Sequence, residues 1–189
     1  ASQIVALTTY TGTLPYNLIK NITLEFTGAV ETTMIYAGAS NYGSLFVKGC
    51  KFMYSGTHSG TMINYAGSGT VSLIDNVHSH ALNYNGTIPF NCALLAPNAT
   101  DKLIIVDRNS IDLSGSMPGS ANIYGIHLDP ATTTTGTYEA YIRNNRIIST
   151  TTSAISEVHG INIEPRSSST ASVALNNNFI SLTGAVNDN

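Results

Sequence analysis

Short runs of alternating apolar and polar residues recur along the whole chain and end at Gly, Pro or Asn. The clearest pair is Gly125–Asp129 (GIHLD), which stops at Pro130, and Ala140–Ile147 (AYIRNNRI), which alternates as far as Asn144 and Asn145 and then resumes. Alternation with a period of two between turn-forming residues is typical of β-strands. No segment shows a sustained apolar period of 3.6 residues, so the pattern predicts an all-β protein with almost no helix.

The second segment, Ala140–Ile147, occurs in six copies along the chain. If it is aligned on Asn145, the successive anchor positions are Ile22, Cys50, Asn76, Asn109, Asn145 and Asn178, which lie 28, 26, 33, 36 and 33 residues apart. The first segment repeats in step, as Gln3–Leu7, Thr33–Ala37, Met62–Ala66, Cys92–Ala96, Gly125–Asp129 and Gly160–Glu164. Longer insertions are predicted before the last three of these, at Ser79–Phe90, Ser114–Tyr124 and Ser149–His159. Self-similarity with a period near 30 indicates a repeat architecture.

If the repeats are stacked on one another, apolar residues at equivalent positions lie over one another. The predicted inward rows of the first segment are Met34, Ile63, Ala93, Ile126 and Ile161, and then Tyr36, Tyr65, Leu95, Leu128 and Ile163. At the ~4.8 Å spacing of paired strands such rows become continuous apolar columns. The anchors Asn76, Asn109, Asn145 and Asn178 become a ladder of amide hydrogen bonds at the bend between two strands.

These features together predict a single-domain, right-handed parallel β-helix, a solenoid of about six coils with an Asn ladder, over residues 1–189. Each end of such a stack exposes unpaired backbone and apolar side chains. No capping helix is evident in the pattern. We therefore expect either that the chain is a piece of a longer protein, or that partners cover its ends in a homotrimer or an end-to-end stack.

Composition narrows the classes of partner. Only 10% of the residues are charged and the net charge is −3 with no basic cluster, which argues against nucleic acid. No apolar run approaches the ~20 residues that span a membrane. Among the five histidines only His78 and His80 have a spacing that suits a metal ion. We predict neither a metal site nor a cofactor.

The repeat doublet resembles a known family. Gly-Ile-x-[Ile/Leu]-[Asp/Glu]-Pro followed by YIRNNRI or VALNNNFI is similar to the repeats of the pectate-lyase-like β-helix superfamily, which includes phage tailspikes and many secreted bacterial surface proteins. The resemblance covers residues 3–182 and implies the fold more strongly than the activity, since members bind, cleave or epimerise polysaccharides or serve as rods. It implies an extracellular, cell-surface or virion location, and a polysaccharide or cell-surface glycan as partner.

Candidate chemistry lies in the last two copies of the first segment. Their outward positions hold His127 and Asp129 beside Asn162 and Glu164, where earlier copies hold mostly apolar or small residues. Neighbouring strands would bring the Asp129 and Glu164 carboxylates to about 5 Å, the separation of a retaining glycosidase pair, and would raise the pKa of one of them. Alternatively, both acids only end strands and bond nearby backbone or arginine. His127 and Asn162 are candidate binding residues.

Arg108, Arg143 and Arg146 flank the Asn turns of adjacent repeats, near Asp107. They are candidates for binding an anionic sugar, or they form a surface ion-pair network of little energy. Aromatic rings can also stack on a ligand where they are exposed. The tyrosines predicted to do so are Tyr10, Tyr84, Tyr124 and Tyr138.

Three functions remain open at this point. The one we favour is a non-catalytic surface module that presents a rigid polar face to polysaccharide or joins a spike or fibre. The second is a polysaccharide hydrolase or lyase that uses Asp129 and Glu164. The third is a structural subunit that assembles with copies of itself. The non-catalytic module is favoured because six coils are few for an enzyme of this superfamily and the set of acids is sparse.

Overall fold

Strands make up every regular element that the computed structural model describes. The described residues are 2–7, 16–26, 32–37, 44–54, 60–65, 69–80, 87–92, 102–114, 122–128, 136–155, 157–164 and 169–186. The strands in chain order are β1 (Ser2–Leu7), β2 (Tyr16–Lys20), β3 (Thr23–Phe26), β4 (Thr32–Ala37), β5 (Ser44–Lys48), β6 (Lys51–Tyr54), β7 (Gly60–Tyr65), β8 (Val71–Ile74), β9 (Val77–His80), β10 (Thr87–Cys92), β11 (Lys102–Asp107), β12 (Ser110–Asp112), β13 (Asn122–Leu128), β14 (Gly136–Arg143), β15 (Arg146–Ile155), β16 (Glu157–Ile163), β17 (Ser169–Asn176) and β18 (Phe179–Val186).

The strands form three six-stranded sheets, and each strand pairs with the strand three places further along the chain. We call sheet A the one that runs from β1 through β4, β7, β10 and β13 to β16. Sheet B runs in the same way from β2 to β17, and sheet C from β3 to β18. All of the pairings are parallel. Three consecutive strands, one from each sheet, are called a layer below. The prediction of an all-β chain with parallel strands is confirmed.

The inward faces of the three sheets share one apolar core. Strand β14 shows the alternation, because Tyr138, Ala140 and Ile142 are buried whereas Glu139 and Tyr141 between them are exposed. One continuous inward row in sheet B consists of Val47, Leu73, Val106 and Ile142, in direct register from layer to layer. Burial of these inward side chains removes apolar surface from water. Each Å² of apolar surface that is buried stabilises the fold by roughly 25 cal/mol, which is the main stabilising contribution.

A tight turn joins sheets B and C in each layer, and the residue before each anchor has a positive φ. Five of these residues are not glycine: Asn21, Asp75, Arg108, Asn144 and Asn177; the sixth is Gly49. Asn, Asp and Gly tolerate the left-handed conformation best, which explains their recurrence at this position, while Arg108 is the exception. In the first five layers the peptide N–H of this residue donates to a carbonyl of the next layer, as in Asn144 to Asn176 at 3.0 Å.

The four anchor asparagines form an unbroken file of hydrogen bonds. Asn76 Nδ2 donates to Asn109 Oδ1, Asn109 Nδ2 to Asn145 Oδ1, and Asn145 Nδ2 to Asn178 Oδ1, each at 3.0 Å. Each Oδ1 also accepts the backbone N–H of the preceding anchor. Each Nδ2 also donates to a carbonyl of the preceding layer, such as Val106 O. Asn76, Asn109 and Asn145 are buried and their amides are satisfied on both sides.

Cys50 ends the file at the second layer. Its backbone N–H donates to Asn76 Oδ1 at 2.9 Å, but its side chain has no amide that could donate to the same oxygen, so the file of side-chain amides stops here. The thiol lies 3.5 Å from Lys48 O and 3.7 Å from Ile19 O, distances at which S–H is a weak donor. Cys50 is a buried free cysteine that forms no disulfide.

The predicted register of sheet A is wrong in two layers. Ile35, not Met34, pairs with Ile63, and Phe90, not Ala93, occupies the same row. Strand β10 accordingly covers Thr87–Cys92 instead of Cys92–Ala96. Both errors have one cause: runs of adjacent apolar residues offer more than one alternation, and Pro97 suggested a strand end that matched the later repeats.

The same correction applies to the second predicted row, in which Ala37 pairs with Tyr65, and Cys92 replaces Leu95. Tyr36 instead pairs with Asn64 and is only half-buried. The predicted insertion at Ser149–His159 is also wrong, because β15 continues to Ile155 and β16 begins at Glu157. Threonine-rich segments favour strands, and the sequence there reads STTTSAI.

Two glycines allow sheets A and C to approach closely in the last two layers. A Cβ atom on Gly125 would lie 2.6 Å from Gly160 O and 3.1 Å from Ile147 Cγ2, and one on Gly160 would lie 2.8 Å from Ile180 Cγ2. Gly125 and its neighbour Ile126 are both buried. The alternation of β13 is therefore interrupted at this point, which brings the residues on either side to the outer face.

Candidate binding site on the outer face of sheet A

A cluster of polar and aromatic side chains lies on the outer face of sheet A in the last two layers. His127 on β13 pairs in register with Asn162 on β16, and Tyr124 pairs with His159. Glu164 follows β16, and its backbone N–H donates to Leu128 O at 2.9 Å. This backbone bond extends the pairing by one residue and fixes the position of the Glu164 side chain beside His127.

The Glu164 carboxylate is held from two sides. His127 Nε2 lies 3.1 Å from Glu164 Oε1, and Asn162 Nδ2 donates to the same oxygen at 3.0 Å. The His127 side chain is 10% exposed and that of Glu164 is 39% exposed. The carboxylate is thus held by His127, which is buried, and by Asn162, which is half-buried, while part of its surface faces solvent.

The two nitrogens of the His127 ring differ in their contacts. Nε2 lies 3.1 Å from Glu164 Oε1. Nδ1 is buried and has no hydrogen-bond partner among the described residues.

Three rings stack beneath this carboxylate. The Tyr124 ring lies 4.5 Å from that of His127 with an interplanar angle of 15°, and 5.0 Å from that of His159 with an angle of 22°. Residues three apart on a regular strand face opposite sides, so Tyr124 and His127 share a face only because the strand is irregular at Gly125. This is why sequence alternation alone did not join Tyr124 to the candidate site.

The predicted catalytic pair is only partly described. Glu164 lies where expected, on the outer edge of the last layer, whereas Asp129 lies outside the described residues. Among the described residues, His127 is a titratable partner of Glu164. The pairing of Asp129 with Glu164 stays a prediction. His127 and Asn162, the two predicted binding residues of this face, both contact the Glu164 carboxylate.

A second polar cluster lies at the turn between sheets B and C. Arg108 makes a two-point ion pair with Asp75, with Nε–Oδ1 at 2.7 Å and Nη2–Oδ2 at 3.2 Å, and its Nη1 lies 2.7 Å from Asp107 Oδ2. Hydrogen bonding from Arg108 holds the pKa of the Asp75 carboxyl below its ordinary value of 3.8. The same bond with Asp75 raises the pKa of Arg108.

Asp107 is the centre of this cluster, with a side chain that is only 3% exposed. Its Oδ2 also lies 3.3 Å from Arg143 Nε, and its Oδ1 accepts a bond from Asn144 Nδ2 at 3.0 Å. A buried carboxylate needs such partners, so Arg108 and Arg143 are used at least in part to neutralise Asp107. Arg146 is exposed at the start of β15 on sheet C, beyond the turn. Of the two readings of these arginines, the described contacts favour the ion-pair network.

The four tyrosines predicted to stack on a ligand differ in their burial. Tyr138, predicted as an exposed stacking residue, is buried in the core with 2% of its surface accessible, because it is an inward residue of β14. Tyr124 is half-buried within the ring stack. Tyr10 and Tyr84 lie outside the described residues.

Within the described ranges no three His, Cys, Asp or Glu residues come together as metal ligands would. In the same part of the chain we find no helix with the length and apolar character needed to cross a membrane. No protein-family model matches the chain, and no curated protein or solved structure matches it either. The similarity of its repeats to those of the pectate-lyase-like superfamily therefore stays a prediction from the sequence.

Proposed function

We propose that the chain is a right-handed parallel β-helix of the pectate-lyase-like type that acts as a non-catalytic surface module and binds polysaccharide or cell-surface glycan on the outer face of sheet A. The pairing of every strand with the third one after it supports the helical path. Parallel strands in one sheet are joined by right-handed crossovers in about 98% of cases, which supports the handedness. The low charge and the uncharged polar surface fit an extracellular, cell-surface or virion location.

The observation that carries the proposed binding role is the Glu164 carboxylate, which His127 and Asn162 hold at the solvent boundary. A ligand site needs a small number of placed polar groups on a rigid support. A fixed carboxylate accepts hydrogen bonds from neighbouring sugar hydroxyls, and the stacked rings of Tyr124 and His159 offer a flat surface beside it. Because sheet A continues from this point through β10, β7 and β4 to β1, the face is long enough to follow an extended chain of sugars.

One observation favours the second candidate, a polysaccharide hydrolase or lyase. A carboxylate 3.1 Å from an imidazole is the arrangement in which one group orients or activates the other for proton transfer. In that case Glu164 and Asp129 would act as the carboxylate pair of a retaining glycosidase, one as nucleophile and the other as acid/base catalyst, as the sequence pattern suggested. The two candidates use the same face and differ in whether the bound glycan is turned over.

The test compares two glutamate variants by isothermal titration against a panel of soluble neutral and acidic polysaccharides. Glu164→Gln removes the charge of the proposed site, and Glu25→Gln, exposed on β3 of sheet C, is the matched control. A hydrogen bond to a charged group contributes about 1.5–3 kcal/mol, so Glu164→Gln is expected to weaken binding roughly ten- to hundredfold. The control is expected to bind as the unaltered chain does.

The same incubations are assayed for new reducing ends and for the absorbance of unsaturated products. Binding without product supports the module, while product that Glu164→Gln abolishes establishes the enzyme instead. If no polysaccharide binds, or if Glu164→Gln and Glu25→Gln bind equally well, the proposed site is wrong.

A further inference from the structure

The outer face of sheet B carries an apolar column that no described element covers. Its outward residues follow one another in direct register from the first layer to the last: Leu18, Phe46, Ser72, Ile105, Tyr141 and Ala174. Leu18 is 50% exposed and Tyr141 is 39% exposed. Outward positions of a solvated sheet are normally polar, so a column of this composition indicates a surface that contacts something else.

The column deepens into a groove in the first three layers. The groove has a volume of about 300 Å³ and is lined by Tyr16, Leu18, Phe46, Lys48 and Ile74, with Ser72 at its floor. The rings of Tyr16 and Phe46 meet edge to face at 5.9 Å, which fixes its upper wall. The walls are almost entirely apolar side chains, so the groove fits apolar side chains of a partner better than a polar ligand.

Charges on either side of the column indicate which partner fits. On β14, Glu139 and Arg143 are the exposed neighbours of Tyr141, each about 6.8 Å along the strand from it. The two charges are opposite and equidistant from Tyr141, and each also has a contact within its own chain: Tyr141 Oη donates to Glu139 Oε2 at 3.1 Å, and Arg143 Nε lies 3.3 Å from Asp107 Oδ2. A surface with this arrangement complements itself when it is turned about an axis that runs along the column.

We propose that a second copy of this chain covers the outer face of sheet B, in parallel, with a twofold axis along the direction in which the layers stack. Each layer then faces the same layer of the partner, so that Leu18 meets Leu18 of the partner subunit and Tyr141 meets Tyr141 of the partner subunit. The same rotation places Glu139 opposite the partner's Arg143 on both sides of the axis. Such an interface is isologous, as twofold interfaces must be.

The opposite orientation is disfavoured by the same residues. If the partner ran antiparallel, the fifth layer would face the second, and Arg143 would lie opposite the partner's Lys48, while Glu139 would lie opposite the partner's Ser44. Like charges brought face to face across an interface are destabilising. The contact between Glu139 and the partner's Arg143 would also be lost. The charge pattern therefore selects the parallel pair, independently of whether sheet A binds glycan.

A single cysteine variant tests the orientation. In the parallel pair Tyr141 lies on the axis, so Tyr141→Cys is expected to form a covalent dimer under mild oxidation with copper phenanthroline. Lys51→Cys, exposed on β6 of sheet C, is the matched control and is expected to remain monomeric on a denaturing gel. The chain without either substitution reports any background from its native cysteines. Failure of Tyr141→Cys to cross-link more than Lys51→Cys overturns the proposal.

The apolar column and the charges are tested by sedimentation velocity. Phe46→Glu is expected to abolish the dimer, and Glu139→Arg is expected to weaken it at least tenfold, since it places two like charges opposite each other. Circular dichroism and the thermal midpoint of each variant establish that it is folded. A folded Phe46→Glu variant that still dimerises contradicts the proposal, as does a chain that stays monomeric at every concentration.

Discussion

Replacing Asn109 with Ala removes the central member of the amide file. Its side chain accepts from Asn76 N and Asn76 Nδ2, both at 3.0 Å, and donates to Leu73 O and to Asn145 Oδ1, also at 3.0 Å. The site is closed to water, since Asn76 and Asn109 are 0% and 2% exposed. The backbone N–H of Asn76 and one of the two N–H groups of its Nδ2 therefore lose their acceptor, while the other still donates to Val47 O, and the smaller side chain leaves a void beside them.

The magnitude follows from those two donors. Each buried polar group without a partner costs about 1–3 kcal/mol, so we expect Asn109→Ala to lower the free energy of unfolding by about 3–5 kcal/mol. For a chain of this length ~1 kcal/mol shifts the thermal midpoint by roughly 2–4 °C, which makes the expected shift about 10 °C. Urea unfolding followed by circular dichroism, with the slope of the transition checked for each variant, measures the change.

Two further substitutions calibrate this result. Asn176→Ala, exposed at the end of β17, is expected to change stability by no more than about 0.5 kcal/mol. Asn178→Ala is expected to have an intermediate effect, because Asn178 accepts the corresponding two bonds from Asn145 and donates to Ile142 O but is only half-buried, and water replaces part of what is lost. If Asn109→Ala unfolds at the same urea concentration as Asn176→Ala, the amide file does not stabilise the stack and the reasoning is refuted.

Three further predictions concern the turns and the closely packed layers. Gly125→Ala is expected to lower stability by at least about 1–3 kcal/mol, since the added Cβ would lie 2.6 Å from the backbone oxygen of Gly160, and thermal unfolding against a Gly69→Ala control checks it. Arg108→Gly is expected to be more stable than Arg108→Ala by about 1 kcal/mol, because both lose the ion pairs but only glycine adopts a φ of 55° without cost; equal stabilities in urea would contradict this. Asp75 has a lowered pKa, so its stabilising contribution is fully present above pH 3.8 and is lost as the pH falls through the lower folded-state value. The unaltered chain is therefore expected to lose slightly more thermal stability than Asp75→Asn between roughly pH 5 and pH 2.5, and parallel losses in the two proteins would show that the pair with Arg108 contributes nothing.

The elements that could be predicted from the sequence are those in which the local structure can be satisfied by only one or a few residue types. The anchor Asn76, Asn109, Asn145 and Asn178 recur because an amide both donates and accepts along a stack, and their spacing defined the repeat before any contact was known. The positions before them are largely Asn, Asp or Gly for a similar reason, since the turn requires a positive φ. Arg108 breaks this rule, and two carboxylates hold its side chain in place.

The register of sheet A could not be predicted in the same way. Where Met34 and Ile35 or Met62 and Ile63 are adjacent and all buried, alternation does not say which of them belongs to the inward row. The strand irregularity near Gly125 adds a second difficulty, because it depends on the approach of Gly160 from the neighbouring layer, and no local pattern records that contact.

The candidate site was predicted in part for the same reasons. His127, Asn162 and Glu164 could be joined from sequence because they occupy equivalent positions of consecutive repeats. Their mutual bonds could not, since the common acceptor, Glu164 Oε1, is defined by side-chain positions. Tyr124 joins them only through the irregular strand. The apolar outer column of sheet B could not be predicted from alternation, because outward residues such as Phe46 and Ile105 stand between inward residues that are equally apolar.

The most direct test of the account is hydrogen exchange of asparagine side-chain amides, measured by NMR on a selectively labelled chain. If equivalent residues stack in file, the Nδ2 protons of Asn76, Asn109 and Asn145 exchange as slowly as backbone amides of the core strands, while those of exposed Asn176 exchange at once. Exchange of all three buried side chains at the rate of Asn176 would contradict the stacked repeat on which both the proposed glycan face and the proposed dimer rest.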